Sequence, residues 1–441
     1  MKRVGRSVLA GLLAALYLTS GPICGAPAAA GPAVPSRPEV PAAEGLPLNP
    51  VDAAAALWKA YAERVDLDAR TDLLHLEFRP GISSGAVAVA GTSADRGLLA
   101  GFYAELSASG LGIESSVEEV PNADDLKRLT WGIVKTPWGS LSSESDALAD
   151  GRTPELRLPL GSRVEVLLNR FDGLVLVKST EGRVGWMRAE ELSLRNDIAI
   201  VAWNRRSQVL VTALAAEIEV NGSGDGKTIL TAPFASELPI ERKLPDGGWS
   251  VILPDGRTGI LHAGDAVDHD EFAANEENLR RESPAGFLAK AAQSAEKLAG
   301  AGWKKNEAGM SLPEGAYRLH DMILPSDPDR QARLGAPLSG GKRGSELKPG
   351  DLVFFGENGR VRYSGVWVGK GRFAADDLKT GGAAIFVFST RPRADANGGL
   401  GPFLWAVRPE VSQLATPCLL SIRSHPFNQA PPADAVRCRL R

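Results

Sequence analysis

The chain has 441 residues, which at roughly 100–200 residues per domain leaves room for about two to four domains. Hydrophobic residues make up 44% and charged residues 23%, a globular balance that excludes a wholly disordered chain, a multi-span membrane protein and a coiled coil. Lys plus Arg (50) against Asp plus Glu (53) gives a net charge of -3, so no excess of cations is available for phosphates and no nucleic-acid partner is expected.

Lys2, Arg3 and Arg6 precede an uncharged, mostly apolar run from Val8 to Leu18. Small residues follow at Cys24-Gly25-Ala26 and Ala28-Ala29-Ala30. This is the pattern of a signal peptide, assigned to 1–26, and it predicts an exported protein of the periplasm or cell envelope. The run is shorter than the roughly 20 residues that span a bilayer, so no transmembrane segment is expected after cleavage. An uncleaved anchor is the competing reading. Residues 27–50 are rich in Pro and Ala and read as an extended linker.

Residues 51–126 read as a helical N-terminal segment. Ala54, Leu57, Ala60, Tyr61 and Val65 recur at helical spacing, and Leu98 to Leu106 is a second such stretch. Beyond Lys127 the pattern changes to short β-type runs separated by turn residues. They are Trp131 to Thr136, Arg163 to Leu168, Gly173 to Lys178 and Gly185 to Arg188. A second set comprises Val209 to Leu214, Ile218 to Val220, Leu238 to Lys243, Trp249 to Leu253 and Thr258 to Leu261. Each set ends on a similar phrase, Thr180-Glu181-Gly182-Arg183-Val184-Gly185-Trp186 and Pro254-Asp255-Gly256-Arg257-Thr258-Gly259-Ile260. The spacing predicts a tandem pair of small barrels, 127–196 and 197–268.

A helix is predicted from Ser283, a suitable N-cap, and Pro284, at the first helical position, to about Leu298. Two phrases follow. The first is Tyr317-Arg318-Leu319-His320 with Leu324-Pro325 and Gln331. The second runs Leu347-Lys348-Pro349-Gly350-Asp351-Leu352-Val353-Phe354-Phe355 and leads into Ser364-Gly365-Val366-Trp367-Val368. They predict a Pro-Gly turn entering a buried strand, then a hairpin turning at Gly369-Lys370-Gly371. In the 416–441 tail, Cys418 and Cys438 suit oxidising surroundings as a disulfide closing a loop of about 20 residues. Two free thiols are the alternative. There is no Cys-x-x-Cys and the five His are scattered, so neither a structural metal nor a cofactor is expected.

The Glu-Gly-Arg turn followed by Val184-Gly185-Trp186-Met187-Arg188 resembles bacterial SH3-like domains, small barrels attached to cell-wall enzymes. The phrases in 269–415 resemble the NlpC-type cell-wall cysteine peptidases, in particular members with an N-terminal stabilising segment and two SH3-like barrels. The resemblance implies an α+β protein with two small barrels followed by a papain-like domain. It also implies a cleft between the first barrel and that domain, which cleaves peptidoglycan stem peptides between γ-D-glutamate and a diamino acid. In the family a Cys opens a helix, a His lies on the first strand of the sheet and a further polar residue orients it.

Counting back from Tyr317 and Leu324-Pro325 places Gly309 where the Cys belongs. The strand His falls on Tyr363 and the orienting residue on Ala375. No Cys lies between residues 25 and 417. Ser364, Ser311 and His320 are the nearest substitutes. On ideal strand and helix geometry none pairs with another at the roughly 3 Å a nucleophile and base require. Loss of nucleophile and base together costs about 10⁶ in rate. Trp303 and Tyr363 are candidates to line the vacated cleft and bind a ligand. The adjacent acids Asp376-Asp377 and Asp124-Asp125 read as solvated turns, and the Gly340-Gly341-Lys342-Arg343-Gly344 run as a surface loop. The expected function is non-catalytic binding of peptidoglycan stem peptides or a cell-wall protein. An active endopeptidase with a rebuilt site, and a scaffold for another hydrolase, remain alternatives.

Overall fold

Asn49 opens the first helix by accepting the Asp52 N–H on its side chain at 2.9 Å, and Pro50 occupies the first helical position, where its missing N–H costs nothing. The helix thus begins inside the last residue of the assigned linker. The computed structural model describes residues 49–432 except 171, 222–226, 306–308, 339–344, 391–395 and 412–418. The signal segment, almost all of the linker, the 340–344 loop, Cys418 and Cys438 lie outside the described residues.

α1 (Pro50–Arg64) and α2 (Arg96–Ala108) meet the helical expectation, with Asp95 capping α2 through the Leu98 N–H. Between and after them, however, lie three strands, β1 (Leu74–Pro80), β2 (Ala86–Ser93) and β3 (Gly112–Glu119). β1 pairs antiparallel and β3 parallel with β2. The parallel pair needs the α2 crossover, and α2 fills the space with fully buried Phe102 and Leu106. β3 is Gly-Ile-Glu-Ser-Ser-Val-Glu-Glu, with only Ile113 and Val117 to mark it as a strand, so its pattern alone is weak.

The next region forms β4 (Trp131–Val134), a hairpin of β5 (Trp138–Leu141) and β6 (Leu156–Pro159) around α3 (Ser145–Ala149), then β7 (Arg163–Asn169), β8 (Leu174–Ser179), β9 (Val184–Arg188) and β10 (Leu192–Arg195). The sheet order is β10-β4-β7-β8-β9. After α4 (Asp197–Asn204) come β11 (Gln208–Val211), β12 (Ala215–Asn221), β13 (Lys227–Pro233), β14 (Glu237–Lys243), β15 (Trp249–Ile252), β16 (Thr258–Leu261) and β17 (Ala266–Asp268). They form a sheet in the order β13-β12-β16-β15-β14-β11-β17.

Both repeated phrases are β-turns, between β8 and β9 and between β15 and β16. Gly182 and Gly256 adopt φ of 81° and 89°, the left-handed region these turns require. Among the described residues no ladder joins β10 to β9 or β13 to β17, so both sheets stay open where closed barrels were expected.

α5 (His269–Glu282) leads into α6 (Pro284–Gly300), whose N-terminus Ser283 caps by accepting the Gly286 N–H. α7 (Leu312–Arg318), β18 (Met322–Ile323) and α8 (Pro328–Gln331) follow. The last sheet comprises β19 (Leu352–Glu357), β20 (Arg360–Gly369), β21 (Arg372–Asp376), β22 (Ala383–Val387) and β23 (Phe403–Val407), in the order β22-β21-β20-β19-β23. β24 (Leu420–Ser421) pairs with β18. The predicted Gly369-Lys370-Gly371 turn is present, all three residues at positive φ.

Alternation splits the last sheet into two buried faces. Leu352, Phe354, Val366 and Ala374 pack under α6 and α7, while Val353, Phe355, Trp367, Phe373 and Ala375 pack on the opposite side. No helix of the described residues is long and apolar enough to cross a membrane. The whole is a mixed α+β protein.

Candidate functional site

The family's nucleophile opens a helix, but here α7 starts three residues beyond Gly309. Gly309 has φ of 69°, and a Cβ on it would lie 2.6 Å from the Trp138 ring and 2.8 Å from Arg157 Cβ. Both contacts come from the β5–β6 hairpin. The position assigned to the nucleophile therefore does face the first β region, but a protein side chain and an arginine stem fill the space where a thiol would stand.

Tyr363 and Ala375 do not meet Gly309 in the described contacts. Gly365 pairs with Ala375, and Tyr363 and Ala375 both belong to the face turned away from α7. Ala375 is fully buried and Tyr363 half-buried against Phe355 and its neighbours. Ser364, which pairs with Phe354, is buried on the α7 side. Trp303 is 1% exposed, set edge-on to Phe234 and stacked over Gly315 of α7. It is a core residue, so the structure places it out of reach of a ligand.

What does stand at the start of α7 is a pair of acids. Glu314 accepts the Ser311 N–H at 2.8 Å and the Ser311 hydroxyl as well. Burial pushes its carboxyl up to about 7, against the pull of the Ser311 hydrogen bonds and the Lys305 charge. Asp376 accepts the Leu312 N–H at 3.0 Å, and burial pushes it up to about 6 against Lys305 and that hydrogen bond. The expectation of a solvated turn fails for Asp376 because β21 carries it onto the α7 face. Asp377, one residue on, does form the turn, accepting from Lys379 N and the Thr380 hydroxyl. Two carboxyls that titrate near neutrality can hold and release protons, but they provide no sulfur or imidazole nucleophile.

Two histidine networks lie elsewhere. His320 Nε2 meets the Ser294 hydroxyl at 2.9 Å and its Nδ1 meets Glu276 at 3.0 Å. This has the order of a Ser-His-acid triad. Ser294, however, sits in the middle of α6, where the surrounding backbone N–H groups are spent within the helix and none is left as an oxyanion donor. We read it as a buried strut between α5, α6 and the end of α7. In the second network Asp321 lies between His269, at 3.0 Å, and the Ser421 hydroxyl. The acid is central, so the imidazole activates no hydroxyl. Neither network was visible in the sequence: Glu276, Ser294 and His320 have no motif spacing and converge only when three helical segments pack.

No family model and no curated protein matches this chain. Solved structures do. An NlpC/P60 family protein from Bacillus cereus ATCC 10987 superposes with a TM-score of 0.50 at 16% identity, over 63% of this chain and 99% of that one. NlpC2 from Trichomonas vaginalis gives 0.30 at 16%, over 64% and 97%. An NlpC/P60 endopeptidase from Photobacterium damselae subsp. piscicida gives 0.40 at 13%, over 65% and 68%. The fold is thus similar to that of an NlpC/P60 protein through most of the described chain. At this identity the likeness is one of architecture, and the residues at the site carry the functional reading.

Proposed function

We propose that this protein is an exported, non-catalytic relative of the NlpC/P60 peptidases that binds peptidoglycan stem peptides or a cell-wall partner. The single observation that supports it is Gly309, left-handed and walled in by Trp138 and Arg157 at the nucleophile's position. Tyr363 and Ala375 at the other two aligned positions add no acid–base group suited to activating a thiol. The two small β regions would act as SH3-like domains that hold the wall ligand beside the papain-like domain.

The test is retention on purified peptidoglycan, with muropeptide digests followed by mass spectrometry. Retention without release of dipeptide is expected. Release of dipeptide from a diaminopimelate-containing muropeptide, abolished by Tyr363→Ala, would establish the rebuilt-enzyme alternative. Absence of retention together with co-purification of a wall hydrolase would favour the scaffold alternative. Gly309→Cys is expected to stay inactive, and to lose about 2–4 kcal/mol in denaturant unfolding from left-handed strain and overpacking against Trp138.

A further inference from the structure

The last sheet is closed at one edge and open at the other. Beyond β23 the chain adds a further short pairing: Pro337 bridges to Val407, and the Leu338 N–H donates to the Ala406 carbonyl at 2.9 Å. Beyond β22 no strand of the described residues continues the ladder.

The bonds to β21 decide which backbone groups of β22 stay free. The Phe388 N–H donates to the Gly371 carbonyl at 2.9 Å, and the Gly382 carbonyl accepts from the Asp377 N–H at 2.6 Å. Bonded residues alternate along an antiparallel pair. Gly382, Ala384, Phe386 and Phe388 therefore bond inward to β21, while Ala383, Ile385 and Val387 turn their N–H and C=O groups outward. Lys304 bridges to Gly382 and closes the Ala383 end. Ile385 and Val387 are left, on one face of the strand, with side chains 38% and 75% exposed.

Composition sets this edge apart. Charge and proline on an edge strand discourage pairing with another chain. In the other sheets of three or more strands, the edge strands β1, β3, β9, β10, β13 and β17 each carry a charged residue. Gly382 to Phe388 has neither charge nor proline. Arg372, opposite Val387 on β21, is already paired with Glu296 at 3.4 Å.

We propose that β22 is a self-association edge, which pairs antiparallel with β22 of a second copy of this chain. With the two-fold axis at Phe386, Ile385 of each copy faces Val387 of the other. Each such pair exchanges hydrogen bonds in both directions, and the exposed apolar side chains cover one another. The half-buried Phe386 rings meet across the axis. An uncharged strand sets no like charges against its own copy, and its apolar residues lie symmetrically about Phe386. Both features favour a second copy over a partner of different sequence. A two-fold pairing of this kind uses the same edge on both copies and closes at a dimer. The interface is short, so a Kd of about 10–100 µM is expected.

Sedimentation equilibrium of the full chain from about 5 to 500 µM, with amide hydrogen exchange at both ends of that range, tests it. A reversible monomer–dimer equilibrium is expected, with exchange in 383–388 slowing as concentration rises. Ile385→Lys/Val387→Lys should weaken dimerisation by at least about tenfold, and Val387→Lys alone several-fold. Both side chains are exposed, so these variants should keep the parent melting temperature. Ile229→Lys, at an exposed position of β13, should leave dimerisation unchanged. A monomer throughout the range overturns the proposal and leaves the edge to an extended peptide of another protein. A dimer that the lysine variants do not weaken, or that leaves exchange in 383–388 unchanged, overturns it as well.

Discussion

Glu314 shows what one buried side chain does to stability. Its carboxyl is removed from water and titrates at about 7, well above the ordinary 4.5. The folded state therefore prefers it protonated. Its contribution is fully present below about 4.5 and is lost as pH rises through about 7. Asp376 acts in the same direction up to about 6. His425 opposes them: burial lowers it to about 4, so the stability from keeping it neutral is present above 6.5 and fades as pH falls. The Glu314 contribution is on the order of 3 kcal/mol. Glu314→Gln should accordingly gain on the parent chain as pH rises from 4.5 to 8, in paired thermal melts. A constant difference across that range would show that Glu314 does not titrate where its burial demands.

At the scale of elements, the turn ahead of β19 decides how closely the last sheet meets α6. Gly350 adopts φ of 93°, and a Cβ there would fall 2.3 Å from the Leu288 carbonyl oxygen. The buried Tyr317 hydroxyl donates to the Gly350 carbonyl at 2.6 Å, and Asp351 accepts from Lys348 N and from Arg408. Helix, turn and strand are thereby held as one unit. Gly350→Ala should cost about 3 kcal/mol or more in denaturant unfolding, through both strain and clash. A loss below about 1 kcal/mol would mean that the turn can shift away from α6. The Pro-Gly-Asp phrase was legible as a turn because Pro and Gly fix backbone angles locally. The contact with Leu288, about 60 residues away, was not.

Over the whole molecule, a charged clasp joins three regions distant in sequence. Arg183, in the β8–β9 turn, donates to both oxygens of Asp327, at 2.9 Å each, and to Glu155 at 2.7 Å. Arg70, from the N-terminal segment, reaches Asp329 at 2.8 Å and Asp327 at 3.3 Å. Arg183 is buried, so removing it leaves Asp327 with Arg70 as its cation in a partly desolvated place and takes the guanidinium from exposed Glu155. Arg183→Ala should cost about 2–3 kcal/mol, discounted from a fully buried pair because Glu155 is part-exposed. A double-mutant cycle with Asp327→Ala should return a coupling above about 0.5 kcal/mol; a smaller value would mean that the clasp only fills space.

The sequence by itself determined what local chemistry determines. The cap at Ser283, positive-φ glycines at 182, 256 and 369, and the alternation of most strands follow from side-chain and backbone preferences within a few residues. The family resemblance assigned Gly309, Tyr363 and Ala375 to the catalytic positions from order along the chain alone. Only the tertiary structure decided which of these residues meet. It put Tyr363 and Ala375 on the face away from α7, filled the space at Gly309 with Trp138 and Arg157, and, among the described residues, left both β sheets open. It moved Asp376 into a desolvated place and gathered His320, Ser294 and Glu276. The physical reason is that contacts between segments far apart depend on how helices and sheets dock. Docking is set by the summed burial of many side chains, which no short run of sequence encodes.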